Sequence, residues 1–238
     1  SHTGDPAIGV NNQINRGDYQ ITVDGKSINP NKGVLMASIT QHSRPDFGNR
    51  RATVEVGRNS FGDGNLTLSI MEAGNAGDNE VNFNASVAYF EFAGGWTAAH
   101  VNGNGTLLGS ASNGVTQSQV TRTNTGRYTV NLGANAQTDG LLFAIGNNND
   151  NIVVQTGLLP GGTTWDVRVE DNATEFGSTG EDGDWSVVYL PYDAVNMVGG
   201  LYDGIADSHV PSAGDFSMTR LATGQYQLSV TGQSPETG

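Results

Sequence analysis

"RTNTGRYTVNL", residues 122–132, carries the pattern that decides the fold. A polar turn ends at Gly126, one residue intervenes, and Tyr128, Val130 and Leu132 then alternate with polar side chains. Alternation with period two marks a strand with one buried face. The same pattern occurs in "INRGDYQITV" (14–23) and "RLATGQYQLSV" (220–230), with faces Tyr19/Ile21/Val23 and Tyr226/Leu228/Val230. The segments just ahead, "VNNQI" (10–14), "VTQSQVTR" (115–122) and "FSMTR" (216–220), complete three predicted β-hairpins. Their turns fall at Arg16-Gly17, Asn124-Thr125-Gly126 and Thr223-Gly224.

The correspondence extends downstream. "GVLMASI" (33–39) answers "DGLLFAIG" (139–146), and "ATVEV" (52–56) answers "NIVVQ" (151–155). "LTLSIM" (66–71) answers "WDVRVE" (165–170), and "SVAYFEF" (86–92) answers "WSVVYLPY" (185–192). "AGGWTAAHVNG" (93–103) and "VGGLYDGIADSHV" (198–210) then lead to the next hairpin. Gly/Asn/Asp clusters such as "FGDGN" (61–65) and "GNNND" (146–150) separate the strands as turns, and no segment shows a helical apolar stripe. The expected fold is therefore all-β: two tandem β-sandwich domains built from an internal repeat, with a surplus terminal hairpin. The expected divisions are 1–110, 111–213 and 214–238, the last being the start of a third repeat.

Three hairpins against two sets of body strands leave one pair of strands over. The spare hairpin augments a sheet of a neighbouring copy, or begins a further repeat of a longer array, or covers an edge of its own chain. In the first case the contact is head to tail and propagates as a filament unless its rotation closes a ring.

Composition narrows the function. Glycine supplies 34 of 238 residues and charged residues only 15%, which suits a turn-rich chain, because Gly and Asn tolerate positive φ. A net charge of −13 with eleven basic residues argues against a nucleic-acid partner. There is no cysteine, hence no disulfide or thiol chemistry, and no apolar run long enough to span a membrane as a helix.

Motifs of catalysis are sparse. His2, His42, His100 and His209 share no metal-ligand spacing, and "GSASNG" (109–114) lacks the nucleophile-elbow spacing and reads as a polar loop. An enzyme is not expected. No cofactor is expected either, with one candidate calcium loop at Glu181, Asp182 and Asp184 in "GEDGDW" (180–185). Arg16-Gly17-Asp18 reads as hairpin geometry rather than an adhesion signal. Trp96 is the tryptophan expected to be exposed, and thus the candidate for stacking on a sugar ring.

With "GRYTVNL…DGLLFAIG…WSVVYLPY", the chain resembles the repeat-built, Gly/Asn-rich, Cys-free β-domains of secreted bacterial surface proteins. That resemblance implies an extracellular or cell-surface location and a structural or adhesive role. The expected function is a protomer of a surface filament, pilus-like or surface-layer assembly. Other copies of the chain are its partners, and strands or hairpins are exchanged head to tail through Tyr19, Ile21, Val23, Tyr226, Leu228 and Val230. The alternative is a glycan-binding or adhesion module from a longer repeat array.

Overall fold

The computed structural model describes residues 8–15, 17–23, 26–39, 52–58, 66–72, 81, 84–134, 138–147, 152–159, 162–171, 180–195, 197–209 and 213–232. Among them the regular structure is antiparallel β-sheet with two 3-10 turns, Phe92–Gly94 and Gln117–Gln119. No described helix is long and apolar enough to cross a membrane.

All three expected hairpins form. They are β1 (Ile8–Asn15) with β2 (Asp18–Val23), β10 (Val120–Asn124) with β11 (Arg127–Asn131), and β18 (Phe216–Ala222) with β19 (Gln225–Val230). Each first strand slips register by one residue just before the turn: between Gln13 and Asn15, Arg122 and Asn124, and Arg220 and Ala222. Such a bulge tightens the local twist and fixes how the turn is aimed. Each turn also places the tyrosine opposite the residue that precedes the slip: Tyr19 opposite Gln13, Tyr128 opposite Arg122, Tyr226 opposite Arg220.

The body strands repeat as well. β2 continues to β6 (Leu66–Glu72) and β5 (Ala52–Arg58), giving the order β1-β2-β6-β5, with the two-residue β3 (Lys26–Ser27) also on β2. β11 continues to β14 (Thr164–Asp171) and β13 (Ile152–Leu158), giving the matching order β10-β11-β14-β13. The remaining strands of the first set pair as β4 (Gly33–Ile39) with β7 (Ala85–Glu91). Their counterparts are β12 (Gly140–Gly146) and β15 (Trp185–Pro191), again joined over seven residues.

Individual hydrogen bonds recur too. Ile70 N–H donates to Gly17 O at 3.0 Å and Val81 N–H to Ile70 O at 2.9 Å. In the second set Val169 N–H donates to Gly126 O at 2.9 Å and Glu181 N–H to Val169 O at 3.0 Å. Phe92 N–H to Lys32 O (2.8 Å) matches Tyr192 N–H to Asp139 O (2.9 Å). The internal repeat is thus a repeat of backbone geometry.

One pairing cuts across the sequence division at residue 110. β8 (Thr97–Val101) and β9 (Leu107–Asn113) precede the second hairpin, and β8 pairs with β15, giving the sheet β12-β15-β8-β9. The stretch expected to be a polar loop, 109–114, is strand up to Asn113. It tolerates Gly, Ser and Asn because β9 is an edge, paired only with β8 among the described residues. The counterparts before the third hairpin are short: β16 (Tyr202–Asp203) and β17 (Ser208–His209).

Alternation distributes side chains among three cores. Tyr128, Val130, Trp165, Val167, Val169, Trp185, Val187, Ala99 and Val101 form the largest, drawn from both sheets of the second set. Ile21, Leu35, Val56, Leu66, Leu68 and Ile70 form the first-set core, which Ile145 of β12 joins. The third lies on the opposite faces of β4, β8 and β15, where Val34, Ala98 and Val188 are each fully buried beside Phe90, Phe92 and Leu190. β4, β8 and β15 therefore bury side chains of both parities, and period-two amphipathicity fades there.

Candidate functional site

The third hairpin differs from the first two in one respect. Tyr128 and Val130 are fully buried against β14 and β15, and Ile21 is fully buried against β6. The same positions in the third hairpin are open: Tyr226 is 40% exposed and Leu228 58%. Among the described residues β18 and β19 pair only with each other. The face that the other hairpins use to enter a core is only partly covered here, with Tyr226 edge-on against Tyr202 at 5.2 Å and Leu228 open.

The second hairpin shows what the covered state contains. Tyr128 in β11 pairs with Val167 of β14, and Val130 with Trp165. Arg122 holds the Asp182 carboxylate in a two-pronged contact, Nε to Oδ1 at 2.9 Å and Nη2 to Oδ2 at 2.5 Å. The turn amide of Gly126 donates to the same Oδ1 at 2.9 Å, and the Tyr128 hydroxyl lies 3.2 Å from it while donating to Gly103 O at 2.6 Å. Planar guanidinium on planar carboxylate fixes orientation as well as distance. The Arg122 guanidinium, aided by the Gly126 amide, holds the Asp182 carboxyl below its ordinary range, whereas burial pushes the Tyr128 phenol up.

This accounts for two of the three calcium candidates. Asp182 is occupied by a guanidinium, and Asp184 Oδ1 accepts the Gly103 N–H at 2.9 Å, so both tie loops together. Glu181 sits in the same loop and donates its backbone N–H to Val169 O. No group of three His, Cys, Asp or Glu able to hold a metal occurs among the described residues.

Because the folded Asp182 carboxyl is depressed, its contribution is complete above the unfolded aspartate range and fades as pH falls through the folded value. Arg122→Gln is therefore expected to lower the urea midpoint at pH 7. The gap to the wild type should narrow below about pH 4. A gap that stays constant from pH 7 to pH 3 would show that the ion pair contributes nothing.

Trp96 is only part-exposed: its ring meets Phe90 edge-on at 5.3 Å, and its carbonyl accepts the Asn113 amide at 2.8 Å. Tyr19 and Val23 are partly buried members of the first-set core, and Val230 is partly covered. A feature that sequence reading missed is a buried polar cluster at the seam between the two sets. Asn147 Nδ2 donates to Ser186 Oγ at 2.5 Å, Ser186 Oγ–H to His100 Nδ1 at 2.5 Å, and His100 Nε2–H to Gly33 O at 3.1 Å. These roles follow from the single tautomer that satisfies the chain of contacts. All three side chains are fully buried, and the contacts pair their polar atoms between β4, β8 and β15 except for Asn147 Oδ1, which has no hydrogen-bond partner among the described residues. Glu55 of β5, also fully buried nearby, accepts the Ile152 N–H through Oε1. The signal was present only as unexplained polar residues within apolar strands.

Comparison with protein-family models, with curated proteins and with solved structures finds no match to this chain.

Proposed function

We propose that this chain is a structural protein of an extracellular assembly, a surface filament or surface layer in which successive β-units complement one another head to tail. In this reading its two sets of strands are tandem β-sandwiches, and β18–β19 is the element that joins one unit to the next. The observation that carries the reading is the contrast between buried Tyr128 and Val130 and exposed Tyr226 and Leu228, in hairpins of one register and one bulge. An isolated hairpin is marginal in water, and its open edge templates further pairing. Main-chain pairing would supply affinity and the Tyr-Leu-Val face register.

Sedimentation velocity on the full chain tests this. The wild type is expected to associate with rising concentration, and Leu228→Asp to remain monomeric with an unchanged circular dichroism spectrum. The same charge at buried Val130 should unfold the protein, since an unpaired carboxylate would enter a closed core. Association that survives Leu228→Asp, or a wild type that stays monomeric at every concentration, sinks the proposal.

A further inference from the structure

The buried cluster at the seam sets a base, a hydroxyl and a carboxamide in line. His100 Nε2–H is committed to Gly33 O at 3.1 Å, and a carbonyl only accepts, so the neutral imidazole presents a bare lone pair at Nδ1. That lone pair meets the Ser186 hydroxyl at 2.5 Å, the contact of a general base on a nucleophile. On its other side Ser186 Oγ lies 2.5 Å from Asn147 Nδ2, and His100 Nδ1 lies 3.5 Å from the same nitrogen. The carboxamide carbon is one amide bond beyond Nδ2, so it stands no more than about 3.8 Å from Oγ.

The backbone holds the three groups there. Ser186 and His100 are direct partners in the β15–β8 ladder, and Ser186 also pairs with Ile145 of β12. Asn147 follows two residues after Ile145, a diagonal neighbour of Ser186, and its N–H donates to Asp184 O at 2.8 Å. All three side chains are fully buried, so a substrate from solution has no access. The electrophile within reach is the carboxamide already in place. Polar filling alone does not explain its state, because Asn147 Oδ1 is buried without a hydrogen-bond partner among the described residues. An ester in its place would be a weaker acceptor and would carry no N–H to satisfy.

We infer that Ser186 and Asn147 join in an internal ester cross-link. Ser186 Oγ attacks Asn147 Cγ while His100 Nδ1 takes the hydroxyl proton. The tetrahedral carbon then expels Nδ2, which receives that proton from His100 and leaves as ammonia. One C–O bond forms and one C–N bond breaks, with no change of oxidation state and no co-reactant. Attack on the face of the carboxamide needs a turn about Cβ–Cγ, the broad torsion of asparagine. No described donor meets Oδ1, so the step lacks an oxyanion-hole contribution, which is worth about 10²–10³-fold in rate per donor. The reaction is accordingly slow, and one turnover per chain suffices. Exclusion of water then protects the ester from hydrolysis. The bond ties positions 39 residues apart and closes a covalent ring that contains β13 and β14.

Trypsin separates the two partners, because Arg127, Arg168 and Arg220 are consecutive basic cleavage sites. Asn147 therefore falls in peptide 128–168 and Ser186 in peptide 169–220. The full chain, after a week at physiological temperature, is expected to weigh one ammonia less than its encoded mass. Its digest should show the two peptides as one species that hydroxylamine splits. Ser186→Ala should keep the encoded mass, and His100→Gln should slow the cross-link by about 10²–10⁴-fold, the usual contribution of a general base. Circular dichroism checks the fold of each variant, and the wild-type digest decides the matter even where a variant does not fold. Asn102, Asn104 and Asn113 precede glycine and can lose ammonia by closing on their own backbone. Such a loss leaves peptides 128–168 and 169–220 separate, and finding it alone overturns the cross-link. Separate peptides at the encoded mass overturn it too, as does conversion of Asn147 to aspartate by water. A cross-link formed equally fast in His100→Gln overturns the role of His100 as the base.

Discussion

Gly126→Ala is expected to destabilise the protein by about 2–5 kcal/mol, while Gly224→Ala costs only about 1 kcal/mol. Both glycines hold a left-handed turn, φ +62° and +70°, and any L side chain there incurs a similar backbone strain. The surroundings separate them. A methyl at 126 would overlap the carbonyl of Val169 and the amide of Glu181, which are main-chain atoms that move only if β14 and the 180–182 loop move with them. A methyl at 224 meets open space. Urea unfolding followed by far-ultraviolet circular dichroism reads both. Against a typical total of about 5–15 kcal/mol, the first variant should shift the midpoint severely and the second mildly. Equal shifts would mean that the second turn is not clasped as described.

The second large effect is at Trp185. Its side chain is fully buried in the largest core, 5.1 Å from the ring of Tyr128 and inclined at 52°. Trp185→Ala removes an indole from between the two sheets and should cost about 3–5 kcal/mol. Trp185→Phe should cost less than half of that. It keeps an aromatic ring against Tyr128 and deletes an indole N–H that has no hydrogen-bond partner among the described residues. Comparable losses for the two variants, measured by the same urea titration, would show that the Nε1–H contributes to stability or that the smaller ring cannot fill the site.

Much of this architecture was legible in the chain. The Gly-X-Tyr turn followed by alternation is a local signal, because turn chemistry and the pleat act over a few residues, and all three hairpins formed where it occurred. The eight body strands were legible for the same reason. Which strands become neighbours was not. β8 pairs with β15, about ninety residues away, and nothing local to Thr97–Val101 specifies that partner. β9 was hidden because an edge strand has little apolar requirement, so "GSASN" reads as a loop. Asp182 was legible as a carboxylate in a flexible turn, and its actual partner, Arg122, lies sixty residues upstream. His100, Ser186 and Asn147 come from three separate stretches and become one cluster only once β8, β12 and β15 share a sheet.

The seam between the two strand sets has a mechanical consequence. Bending one set against the other would uncover Val34, Ala98 and Val188 and break the His100–Gly33 contact, all of which lie where water does not reach. It would also pull the Ile152 amide off Glu55. Beads on a flexible string have no such restraint. Sliding of β4 past β8 and β15 is therefore resisted by a patch that belongs to all three strands and would have to be wetted for them to part.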